Sequence, residues 1–131
     1  MPRPRHTPDE PLRIVIICTG NTCRSPMAEA LLRARAGQEF SCAVTSAGVA
    51  AVAGSPASPE SVAALREWGL DLSLHRSRPL TRALVDEADL LVPLTLLHYH
   101  VLLERFPEAR PRILLLGAFL DPRLREPHDI P

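Results

Sequence analysis

Leu12-Arg13-Ile14-Val15-Ile16-Ile17-Cys18-Thr19-Gly20-Asn21-Thr22-Cys23-Arg24-Ser25-Pro26 is the stretch from which the rest of the chain can be read. Its first half is an apolar run dense in β-branched side chains. Such a run suits a strand buried on both faces, as in a parallel sheet. Gly20 and Asn21, which tolerate positive φ best, then break it. Ser25-Pro26 follows as a helix start, with Ser as the cap and Pro at the first helical position.

Outward from this stretch the pattern repeats. Met27, Leu31 and Ala34 fall on one face of the first helix. Residues 41–46 read as a second strand and 49–57 as a loop of small residues. Ser58-Pro59 opens another helix, with Val62 and Leu65 inward and Gly69 at its end. A short helix over 81–88, a strand over 90–94 and a helix over 95–106 follow, the last with Leu96, Tyr99, Leu103 and Phe106 on one stripe and Pro107 as its terminator. Residues 113–116 form the last buried strand. Alternating strands and helices imply an α/β fold, a single three-layer sandwich around a central four-stranded parallel sheet.

Ligands in such sheets bind at the carboxyl ends of the strands, which is where Cys18 sits. A tight turn running into a helix N-terminus aims several backbone N–H groups at one point, and with the helix dipole they make a phosphate-sized anion site. Arg24 adds a planar fork of donors for two phosphoryl oxygens. A thiolate aimed at a phosphate so held is the apparatus of nucleophilic phosphoryl transfer. Ser25 is placed to donate a hydrogen bond to the sulfur when a phosphocysteine breaks down. A lone cysteine at a strand end is usually a small buried hydrophobe; the fixed spacing to Arg24, with Gly-Asn between and Ser-Pro after, argues against that here.

Composition narrows the class. A chain of 131 residues holds one domain, and 46% hydrophobic with 23% charged residues is ordinary for a globular protein. Fifteen basic and fifteen acidic residues give zero formal charge, which speaks against a nucleic-acid partner. No apolar run approaches the ~20 residues of a membrane span. Residues 1–11, polar and proline-rich, read as a disordered tail before a domain over 12–131. Cys18, Cys23 and Cys42 are an odd number without a disulfide pattern, so free thiols and a cytoplasmic location are expected. We expect a monomer with no cofactor.

Residues 18–26 resemble the C-x-G-N-x-C-R-S-P loop of the low-molecular-weight protein tyrosine phosphatase family. The likeness extends through Met27-Ala28-Glu29-Ala30, Thr45-Ser46-Ala47-Gly48 and the apolar run to Leu94. The family resemblance implies a flavodoxin-like fold with the phosphate loop between first strand and first helix, and a phosphorylated protein as substrate. It implies Cys18 as nucleophile and Arg24 as clamp, with Thr19, Gly20, Asn21, Thr22, Cys23 and Ser25 around the phosphate. Asn21 would hold the loop in its left-handed turn, supported by Ser25, Ser46 and His75. Tyrosine-specific members carry a bulky aliphatic residue where this chain has Thr22. The loop is similar instead to that of the bacterial protein arginine phosphatase subgroup, which implies phosphoarginine as substrate, with phosphotyrosine second.

The same resemblance places a general-acid aspartate, in an Asp-Pro pair, just after the stretch Pro127-His128-Asp129-Ile130-Pro131, and a closing helix beyond it. The sequence stops at Pro131, and Asp121-Pro122 lies too early to match. Asp129 is the substitute, and the domain is expected to lack its C-terminal loop and helix and to react slowly unless the chain continues past Pro131 with that Asp-Pro pair. Three rivals remain. A thioredoxin-coupled arsenate reductase needs downstream cysteines, and none follows Cys42. A metal site from Cys18, Cys23 and His98 or His100 would leave the anion loop unexplained, so no metal is expected. A phosphoanion-binding regulatory module would keep the cradle without turnover.

Overall fold

In the computed structural model, residues 11–36 and 42–115 are described. The order is β1 (Leu12–Cys18), α1 (Arg24–Ala36), β2 (Cys42–Gly48), α2 (Pro59–Arg66), α3 (Arg82–Glu87), β3 (Leu90–Pro93) and α4 (Leu96–Arg105), then a 3-10 helix (Pro107–Arg112). The strands are parallel in the order β2-β1-β3. Leu12 pairs with Cys42 at one end and Cys18 with Gly48 at the other, while Ile14 to Ile17 pair with Leu90 to Pro93.

β1 is central and buried on both sides. Ile14, Ile16 and Cys18 face one layer with Val44, Val92 and Leu94, closed by Ala28 and Leu32 of α1. Val15 and Ile17 face the other, with Val85, Ala88, Leu91, Leu102, Phe106 and Ala109. Ile17 is fully buried, and burying such a side chain contributes about 1.5–3 kcal/mol. A third cluster, Ala57, Leu65 and Leu72 with Met27, Ala30 and Val62, fastens α2 to α1.

Four strands were expected in the sheet. Among the described residues the sheet has three strands. Ile113 makes one parallel bridge to Leu91, and Leu114 N–H donates to Leu91 O at 2.8 Å. Proline at 111 and the 3-10 turn ahead of this segment delay its entry onto the β3 edge. Leu116 and the expected tail residues 1–10 lie outside the described residues.

Two helical faces also differ from expectation. Leu31 is exposed, because α1 packs against two partners at once, Ala28 and Leu32 toward the sheet and Met27 and Ala30 toward α2. On α4 the inward residues are His98, Leu102 and the capping Phe106, while Leu96 is exposed. Thr95 caps that helix by accepting His98 N–H, which turns position 98 inward. Pro107 starts the 3-10 helix as well as ending α4.

Candidate active site

The loop from Cys18 to Arg24 joins the carboxyl end of β1 to α1. Asn21 takes a φ of 57°, the left-handed conformation that asparagine accepts at low cost. Its neighbours' carbonyls are drawn outward. Cys18 O accepts from Val49 N at 2.9 Å, Thr19 O from Ala50 N at 3.0 Å and Thr22 O from Ser58 N at 2.7 Å. Asn21 O accepts from His75 Nε2 at 2.7 Å. In a trans peptide, the N–H following each carbonyl points the opposite way. The amides of residues 19, 20, 22 and 23 are thereby left on the inner side of the loop. The Asn21 amide itself donates to Cys18 Sγ at 3.3 Å.

The Asn21 side chain is fully buried and organises the loop from beneath. Its Nδ2 donates to Ser25 Oγ at 2.9 Å and to Ser46 Oγ at 2.8 Å, and its Oδ1 accepts from Arg78 N at 2.8 Å. The bonds to the two serines run from the asparagine outward. Ser46 Oγ in turn donates to Glu29 Oε1 at 2.6 Å, and Glu29 pairs with Arg33, 3.2 Å away. Ser25 Oγ lies 2.8 Å from Cys18 Sγ. Ser25 was expected as a helix cap. It stands instead inside α1, which begins at Arg24, because Cys23 O already accepts the first helical bond from Met27 N at 3.2 Å. Its hydroxyl is therefore free for the sulfur.

Cys18 is buried, Cys23 exposed and Cys42 half-buried. Arg24 and Thr22 are half-buried in the loop, and Thr19 is exposed. The loop, Ser46 and His75 are thus brought together; Asp129 lies outside the described residues. Glu29 and His98 belong to the same assembly and were given no place in it from sequence. Glu29 stands one helical turn after Ser25, a spacing that puts both on one face. His98 Nε2 lies 2.8 Å from Thr19 Oγ1. A cavity of about 680 Å³ opens behind the network against Glu29, Ser46 and His75, but neither Cys18 nor Arg24 lines it. Among the described residues no group of three or more His, Cys, Asp or Glu is placed to hold a metal ion.

A strand-end thiol under a loop of inward amides, followed by arginine at a helix start, is the arrangement of a cysteine-dependent phosphatase. The sequence profile of the low molecular weight phosphotyrosine protein phosphatase family matches residues 13–131, and the chain belongs to that family. It is a cysteine-dependent protein phosphatase. A protein-arginine-phosphatase of Geobacillus stearothermophilus is 43% identical over 110 residues, covering 84% of this chain and 72% of the relative. The probable low molecular weight protein-tyrosine-phosphatase EpsP of Ralstonia nicotianae is 36% identical over 116 residues, covering 88% and 77%. The solved structure of the YwlE arginine phosphatase from Geobacillus stearothermophilus superposes with a TM-score of 0.83 at 40% identity, covering 92% of this chain and 75% of that one. Among the described residues, no helix is long and apolar enough to cross a membrane.

Proposed function

We propose that this phosphatase works through a phosphocysteine on Cys18 and prefers phosphoarginine to phosphotyrosine in its protein substrates. Cys18 sulfur attacks phosphorus while Arg24 and the inward amides hold the phosphoryl oxygens. The P–N bond of phosphoarginine breaks, and the guanidino nitrogen leaves with a proton from an acid, for which Asp129 is the candidate. Water then attacks phosphorus, the P–S bond breaks, and phosphate and the thiolate are released. The observation that carries this reading is the outward turn of the carbonyls of Cys18, Thr19, Asn21 and Thr22, because it frees the next amides for one anion.

Thr22 supports the substrate preference. Its hydroxyl replaces an aliphatic wall suited to a phenyl ring and suits a polar guanidino head. The named arginine phosphatases among the relatives agree with this. The even charge balance speaks against a nucleic-acid partner and the free cysteines fit a cytoplasmic location; a monomer is part of the proposal. We read the Leu91–Ile113 bridge as the start of a fourth parallel strand in a flavodoxin-like order.

The test is the ratio of kcat/KM for a phosphoarginine and a phosphotyrosine peptide, in the parent and in Thr22→Ile. The parent should favour phosphoarginine, and Thr22→Ile should move the ratio toward phosphotyrosine. A ratio that Thr22→Ile leaves unchanged removes Thr22 from substrate selection.

A further inference from the structure

The chemistry above leaves one buried polar side chain beside the loop without a task. His98 is 1% exposed, although Leu96 and Leu97 next to it on α4 are exposed. Its ring meets two threonine hydroxyls, with Nε2 2.8 Å from Thr19 Oγ1 and Nδ1 3.0 Å from Thr95 Oγ1. Thr95 Oγ1 also accepts the His98 backbone N–H at 3.2 Å as the cap of α4. A proton on Nε2 would be donated to Thr19 Oγ1, and Thr19 would then keep its own hydroxyl proton for another acceptor. Thr19 is exposed, directly follows Cys18, and has its carbonyl held by Ala50 N at 3.0 Å.

We propose that His98 is a positioning residue that orients the Thr19 hydroxyl as an additional donor to the bound phosphoryl substrate. The partner of Nε2 lies on the phosphate loop, 79 residues away in sequence. The hydrogen bond ties the start of α4 to the residue beside the thiol, so the geometry of α4 is passed to the site. The inference rests on reading the Cys18 loop as the place of turnover.

Two amide side chains separate the ring nitrogens. Asparagine reaches about where Nδ1 stands and glutamine about where Nε2 stands, so only His98→Gln can still donate to Thr19. The experiment measures kcat and KM for an aryl phosphate, with urea stability, in His98→Asn, His98→Gln, Thr19→Val and the His98→Asn/Thr19→Val pair, beside Cys18→Ser. His98→Asn and Thr19→Val should each lower kcat about tenfold, the worth of one well-placed hydrogen bond. The pair should be no worse than either alone, and His98→Gln should recover most of the loss. Equal kcat in the asparagine and glutamine variants, additive losses in the pair, or losses that follow stability alone would overturn the proposal. Undiminished turnover by Cys18→Ser would instead remove the reading of the loop on which it stands.

Discussion

Ser25 Oγ lies 2.8 Å from Cys18 Sγ while accepting an N–H from Asn21 Nδ2 at 2.9 Å. The asparagine occupies a lone pair of the hydroxyl, and against a Cys18 thiolate, which can only accept, the serine proton is directed at the sulfur. A donor there matters most when sulfur is the leaving group.

Ser25→Ala is therefore expected to slow hydrolysis of the phosphocysteine more than its formation. Hydrogen bonds to charged groups contribute about 1.5–3 kcal/mol, so kcat should fall roughly 10- to 100-fold. Rapid mixing with an aryl phosphate should show a burst of phenol release followed by slow turnover. A variant whose burst and steady rates fall together would place Ser25 in the first step instead.

Gly48 stands at the end of β2, paired with Cys18. A Cβ there would meet Thr19 O at 2.3 Å, Ala51 Cβ at 2.8 Å and Asn21 N at 3.0 Å. Two of these three atoms belong to the backbone of the phosphate loop and cannot yield without reshaping it. Gly48→Ala should weaken phosphate and vanadate binding and cost on the order of 10²-fold in kcat/KM through misplacement of the reacting groups. Titration with vanadate checks it. Unchanged vanadate affinity would show that the loop absorbs the clash.

Mild peroxide should inactivate the enzyme reversibly by joining Cys18 to Cys23, through a sulfenic acid that the second thiol traps. Cys42 is excluded by the register. It pairs with Leu12, whereas Cys18 pairs with Gly48, so the two lie at opposite ends of the sheet. Six strand steps separate those ends, roughly 20 Å, far beyond the span of a disulfide. Peptide mapping should find the Cys18–Cys23 bond, reversed by dithiothreitol. A Cys18–Cys42 bond, or sulfinic acid on Cys18 alone, would count against it.

What could be read from sequence was local. The β1 run, the Gly-Asn break and the helix starts at Ser58, Thr81 and Thr95 were legible because each rests on neighbours in the chain; all three side chains cap their helices. The inward faces of α1 and α4 were not. Leu31 and Leu96 are apolar but exposed, since which face is buried depends on partners that periodicity cannot locate. Ser46 and His75 both meet Asn21, but their approach to it came from resemblance rather than pattern. Glu29 and His98 escaped for the same reason as the helical faces. Their partners, Ser46 and Thr19, lie 17 and 79 residues away in the chain.

The covalent intermediate is the central claim, and trapping it is the direct measurement. Acid quenching within milliseconds of mixing with a phosphoarginine peptide, followed by mass spectrometry, should find one phosphoryl group on the peptide containing Cys18, absent in Cys18→Ala. Full turnover with no phosphoryl group on Cys18 at any time point would contradict the account.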